Sequence, residues 1–184
     1  MKTIDRTGGP TPRDPAPGKG LIAGLIGGLG GSLAMAAFQG AWSRAFGPPM
    51  EPARDDVAGD AAPDSGPVPS TILAANALSR AVAGRDLPGR HAGAAGRAFH
   101  LAFGTGLGGV YGVLVEYLSL ASVGAGVPFG VIQVPFADEW LVPALDLSGS
   151  PEKAPASAHL RSVAAHAVYG LATEWTRRAV RARL

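Results

Sequence analysis

Between Leu21 and Trp42 the chain runs for 22 residues, LIAGLIGGLGGSLAMAAFQGAW, without one Asp, Glu, Lys, Arg or His. Wound into an α-helix, such a stretch is about 30 Å long, the thickness of the hydrocarbon layer of a bilayer. No other feature restricts the fold as strongly, because a helix this apolar must be covered by a protein core or by lipid. Composition favours lipid. Only 16% of the 184 residues are charged, mean hydropathy is +0.19 and 27 residues are glycine. A soluble domain carries a denser charged shell, and membrane helices are the richer in glycine.

The rest of the chain divides around that run. Residues 1–19, with Lys2, Arg6, Arg13, four prolines and no apolar periodicity, are predicted to be a disordered cytoplasmic tail, and residues 20–184 a single membrane domain. The first span covers 21–46 and is stopped by Pro48, Pro49 and Pro52. A cleaved signal peptide is the rival reading, since a basic region precedes the run and SLAMAAF offers small residues. The run is longer than a usual signal core, however, and further span candidates follow it. Residues 47–97 form an acidic, Pro-rich linker holding a short helix over 70–83, capped by Ser70 and ended at Gly84. With Ile72, Leu73, Leu78 and Val82 apolar, that helix suits the membrane surface or the mouth of the bundle. A second span covers 98–120, with Glu116 its one formal charge. A third, 121–145, contains Pro128 and Pro135 and should be kinked or broken near its start. The fourth, 158–180, is less apolar and carries His159, Arg161, His166 and Glu174.

A repeat supports the fourth. VYGVLVE at 110–116 recurs as VYGLATE at 168–174, each with a His-Leu pair about three turns upstream, His100-Leu101 and His159-Leu160. If one copy is a membrane helix, so is the other, and the intervening segments make the two parallel. The expected fold is therefore all-α: a transmembrane bundle of about four spans with a short interfacial amphipathic helix. Basic flanks (Lys2, Arg6, Arg13 and Lys19, then Arg177, Arg178, Arg181 and Arg183) against an acidic linker place both termini in the cytoplasm. Trp42 and Trp140 then mark the outer interface, and Tyr117 and Trp175 the inner one.

Gly104, Gly106 and Gly109 spell a formal GxGxxG. A dinucleotide loop needs a strand before the glycines, a helix after them and an acidic residue about 20 positions on, and that pattern is incomplete here. Instead Gly104, Gly108 and Gly112 stand four apart, as do Gly20, Gly24 and Gly28. That spacing lines small residues along one helix face and lets helices approach closely.

The polar residues fall into two groups. His100, Asp138, Glu139, His159 and His166, with Arg97 and Arg161, fall near the outer span ends. They could bind a divalent metal or relay protons, as a transporter or proton-linked permease requires. Alternatively Arg97 and Arg161 pair with Asp138 and Glu139, and the histidines are packing groups. No cofactor or metal is assigned, although His100 and His166 are the pair a bis-histidine haem or metal centre would use. Glu116 and Glu174 fall near the inner ends, and Glu174 can pair with Arg178 one turn on. Tyr111 and Tyr169 are read as packing residues. Ser43, Ser119 and Ser122 have no His at a telling spacing and the chain has no cysteine, so nothing recommends an enzyme. A net charge of +2, with no basic stripe interleaved with aromatics, argues against nucleic acid as a partner. The expected partners are the lipid bilayer and a membrane protein or a second copy of the chain.

Taken in order, the pattern is Gln39…Trp42…Pro48-Pro49, His100-x3-Gly104…Tyr111-Gly112…Glu116, Glu139-x3-Pro143, and His166…Tyr169-Gly170…Glu174. It resembles the YagU-like family of bacterial inner-membrane proteins from Leu21 onward. The best element is HxxxGxxxGxxYGxxxE, matched by His100, Gly104, Gly108, Tyr111, Gly112 and Glu116. The resemblance implies a small helical inner-membrane protein and brings no activity, cofactor or catalytic residue with it.

Overall fold

The structure, a computed structural model, describes residues 14–47, 70–135 and 156–184. In chain order the elements are α1 (Pro17–Phe46), α2 (Ser70–Ala83), α3 (Gly89–Tyr117), a 3-10 segment (Ser119–Gly126), α4 (Val127–Val131) and α5 (Ala156–Arg181). The described residues are all-helical, without a strand. Residues 1–13 of the tail, the linker at 48–69 and the segment 136–155, with Asp138, Glu139, Trp140 and Pro143, lie outside the described residues.

Helix α1 starts inside the stretch predicted to be tail. Pro17 opens it, because the N–H that proline lacks has no helical partner at that position anyway and its fixed φ suits the first turn. It ends at Gly47, whose φ of 90° leaves the helical region while its N–H still donates to Ser43 O at 3.0 Å. α1 and α3 are both long and apolar enough to cross a membrane. α5 is as continuous a helix as either but is not apolar enough to meet the same test.

α1 is the middle layer, antiparallel to α3 on one side and to α5 on the other. On the α3 side, Gly20 faces Gly112, Gly24 faces Gly108 and Gly112, and Gly28 faces Gly104 and Gly108. The backbones touch: a Cβ added at Gly24 would lie 2.8 Å from Gly112 Cα, and one at Gly28 2.9 Å from Gly108 Cα. Only glycine permits that approach, so the two predicted glycine rows meet each other. On the α5 side, Gly27 abuts Thr173 and Arg177, and Gly31 abuts Tyr169 and Thr173. Because α3 and α5 both oppose α1, the two repeat copies run parallel.

α2 spans the residues predicted for it and packs on the first turns of α3, with Ile72 and Thr71 against Gly96 and Ala75 buried. Asn76 ties the hairpin: its amide oxygen accepts from Leu87 N–H at 2.8 Å and its Nδ2 donates to Asp86 at 2.9 Å. Leu78 and Val82, one turn apart, stay exposed. α3 begins at Gly89, earlier than the span predicted from residue 98, so Arg90, His91 and Arg97 are helical.

The predicted third span, 121–145, is broken near its start, as its prolines led one to expect, and its residues from 136 on lie outside the described residues. Residues Ser119–Gly126 are a 3-10 segment with non-helical φ at Gly124 (69°) and Ala125 (54°), and Gly126 (φ 83°) caps a fresh helix, α4. Pro128 lies in the first turn of α4, where its missing N–H costs nothing; inside a continuous helix it would have broken the ladder. α4 then docks on α5 through a second glycine contact. Gly126 and Gly130 lie against Gly170, and a Cβ on Gly170 would come within 2.8 Å of Gly130 N.

Candidate functional site

Glu116 of α3 and Glu174 of α5 lie at different depths: Glu116 packs near the start of α1 at Gly20, whereas the turn of α5 that holds Glu174 packs against Gly27, about two turns further along α1. Each lies at the end of its copy's YGxxxE element, and both are bonded to arginines of the last turns of α5. Arg177 Nε donates to Glu174 Oε2 at 2.6 Å and Arg177 Nη2 to Oε1 at 2.9 Å, a bidentate pair with side chains 7% and 0% exposed. Arg178 Nε adds a 2.5 Å bond to Oε1 and its Nη2 donates to Ser122 O at 3.2 Å. Arg181 crosses to α3, with Nε and Nη2 on Glu116 at 2.7 and 3.1 Å.

These contacts close one end of the bundle. Glu116 also accepts the N–H of Ala16 at 3.1 Å, which sets a carboxylate against the positive end of α1. Lys19 Nζ donates to the carbonyl of Leu184. The N-terminus of α1, the C-terminus of α3 and the C-terminus of α5 are thus joined by charge-assisted hydrogen bonds, about twice as strong as neutral ones. Between them opens a pocket of about 780 Å³ lined by Asp14, Glu116, Tyr117, Ser119 and the three arginines.

Sequence reasoning paired Glu174 with Arg178 alone. Arg177 is its more buried partner, and the bond from Arg181 to Glu116 was missed. No local spacing signals it, since the two residues lie 65 positions apart on different helices.

The two repeat tyrosines have separate tasks. Tyr169 is 2% exposed and donates to Gly104 O at 2.7 Å, linking α5 to α3 past α1. Tyr111 stacks on Phe129 of α4 with centroids 4.2 Å apart, and Phe129 in turn meets Tyr169 at 6.0 Å. Two hydroxyls face glycines across α1: Ser32 Oγ lies against Gly104 and Thr173 Oγ1 against Gly31. Both are buried without a hydrogen-bond partner among the described residues, a contact type suited to weak Cα–H···O bonds.

The residues predicted for the outer group are placed as follows. His166 is 8% exposed, and its Nδ1 lies 2.9 Å from Ser162 O; since a carbonyl only accepts, Nδ1 carries the proton. Through Nδ1, His166 bonds back to its own helix. Its carbonyl lies under Gly130 of α4. His100 and His159 are half-buried on α3 and α5. Arg161 Nη2 reaches Ser43 Oγ on α1 at 3.4 Å. Asp138 and Glu139 lie outside the described residues, among which no group of three or more His, Asp or Glu could hold a metal. Gly20, Gly24 and Gly28 are brought together with Gly104, Gly108 and Gly112, and Glu116 and Glu174 with the α5 arginines. No family model, curated protein or solved structure matches the chain.

Proposed function

We propose that this chain is a multi-pass protein of the bacterial inner membrane, a structural or accessory bundle of four crossings related to the YagU-like proteins. One observation carries the reading: burial is inverted. Among the described residues the largest fully buried side chains are Tyr111, Glu174, Thr173 and Ser32, whereas Leu33, Ile22, Val110 and Leu160 are 53, 49, 65 and 61% exposed. Water selects the opposite arrangement, with Leu, Ile and Val inside and Glu and Arg outside. In a bilayer, apolar side chains face the acyl chains, while small residues and paired charges occupy the contacts between helices.

The same inversion accounts for α5. Its Glu174, Arg177, Thr173 and His166 lower its mean hydropathy, yet they turn inward and leave Leu160, Val163 and Trp175 outside. In this reading α1, α3 and α5 cross, the third crossing at 121–145 is discontinuous at its start, and α2 lies in the interface on its Leu78–Val82 stripe. The arginine-rich end is cytoplasmic by the excess of basic residues near it, and both termini are on that side.

Absence of native cysteine makes the test clean. Single-cysteine variants Ala182→Cys and Gly47→Cys are to be labelled in intact cells with a membrane-impermeant maleimide. Gly47→Cys is expected to react from outside, and Ala182→Cys only after lysis. A chain that is folded and monodisperse in water without detergent sinks the proposal.

A further inference from the structure

We propose that the pocket at the arginine-rich end holds a zwitterionic phospholipid headgroup, its phosphodiester on Arg178 and Arg181 and its primary ammonium on Asp14. This rests on the membrane reading above. The guanidinium groups are held from behind. Glu174 takes the Nε of Arg178 and Glu116 takes the Nε and Nη2 of Arg181, so each arginine is fixed along one edge and retains its Nη1 group for another acceptor. Planar donors fixed in this way suit phosphate oxygens, and fixing them beforehand removes the cost of ordering long side chains on binding.

Charge decides the class of headgroup. Arg177, Arg178 and Arg181 are balanced by Glu116, Glu174 and Asp14. No positive excess is left to favour a net anion, whereas a zwitterion leaves the pocket neutral and satisfies both signs. The two glutamates are occupied by arginine, which leaves exposed Asp14, at the pocket wall, as the carboxylate for an ammonium. Position decides between a lipid and free phosphate. Tyr117 lines the pocket and is 65% exposed, Trp175 of α5 is 63% exposed, and Leu118 and Leu120 stand outward just beyond Tyr117. Aromatic residues of this kind sit at headgroup depth, and the leucines supply apolar surface for acyl chains next to a polar pocket.

The test is native mass spectrometry on the detergent-purified full chain, offered phosphatidylethanolamine, phosphatidylglycerol or inorganic phosphate at matched concentration. Phosphatidylethanolamine should be retained most, and inorganic phosphate should not displace it. Arg178→Gln should lower retention about tenfold or more, the equivalent of one charge-assisted hydrogen bond. Arg177 still pairs Glu174 in that variant, so its melting temperature should hold. Asp14→Asn, an exposed change, should abolish the preference for the ethanolamine lipid over the glycerol lipid, and it decides the matter should Arg178→Gln fail to fold. Equal retention by wild type and both variants, preference for phosphatidylglycerol, or displacement by inorganic phosphate each overturns the inference. A chain that needs detergent but keeps no lipid refutes this site alone, whereas one that needs no detergent refutes the membrane reading beneath it.

Discussion

Replacing Gly24 with alanine adds one methyl group to α1, and the structure leaves no room for it. The new Cβ would lie 2.8 Å from Gly112 Cα and 3.0 Å from Gly112 N, and closer still to Gly108 O; all are backbone atoms that no rotamer change can move. Restoring ordinary contact at about 3.5–4.0 Å separates α1 and α3 locally by roughly 0.5–1 Å, which forfeits a quarter to a half of each dispersion well. Across on the order of twenty heavy-atom pairs at about 0.1–0.2 kcal/mol each, the loss is about 0.5–2 kcal/mol. Overpacking strain adds about 1–3 kcal/mol. Gly106→Ala on α3 is the control, since nothing lies within 4 Å of a Cβ there. In a helix interior that exchange is neutral or stabilising by up to about 1 kcal/mol. Thermal unfolding in detergent, followed by circular dichroism, should therefore lower the melting temperature for Gly24→Ala and hold or raise it for Gly106→Ala. Equal shifts for the two variants would refute the claim that bare backbone contact joins α1 to α3.

Other outcomes follow from the same contacts. Glu174→Gln leaves the Arg177 guanidinium buried without its counter-charge and should cost about 3–5 kcal/mol, read as loss of the folded fraction in the same assay. Gly126→Ala places a side chain at a φ of 83° and 2.7 Å from Glu174 Cβ, so α4 should undock from α5, detected as faster protease cleavage near residues 119–126. Asn76→Ala removes the acceptor for Leu87 N–H; hydrogen exchange at that amide should accelerate while the α1–α3 contact keeps its protection.

The parts legible in the sequence were those written in local spacing. Glycines four apart announced the α1–α3 contact, Ser70 and Gly84 bounded α2, and the YGxxxE repeat foretold two parallel helices. What stayed hidden depends on pairing across long separations. Gly27 and Gly31 lie between residues already assigned to another face, so the second contact surface of α1 left no separate periodic mark. Gly126, Gly130 and Gly170 belong to two segments whose docking no local pattern reveals. The bond from Arg181 to Glu116 joins residues 65 positions apart, and no local pattern suggests it. The break before α4 was foreseen from its prolines, but its cause lies also in the left-handed backbone at 124–126, which composition does not encode.

The sandwiched position of α1 also bears on biogenesis. It is synthesised before both of its neighbours, yet one of its two bare glycine flanks can be covered only when α5 leaves the ribosome. Until then that flank is open to any other small-faced helix nearby. The nascent chain must be shielded, or complete synthesis quickly, to avoid a wrong companion. Changes that slow translation after α4 should lower yield even when the finished sequence is unaltered.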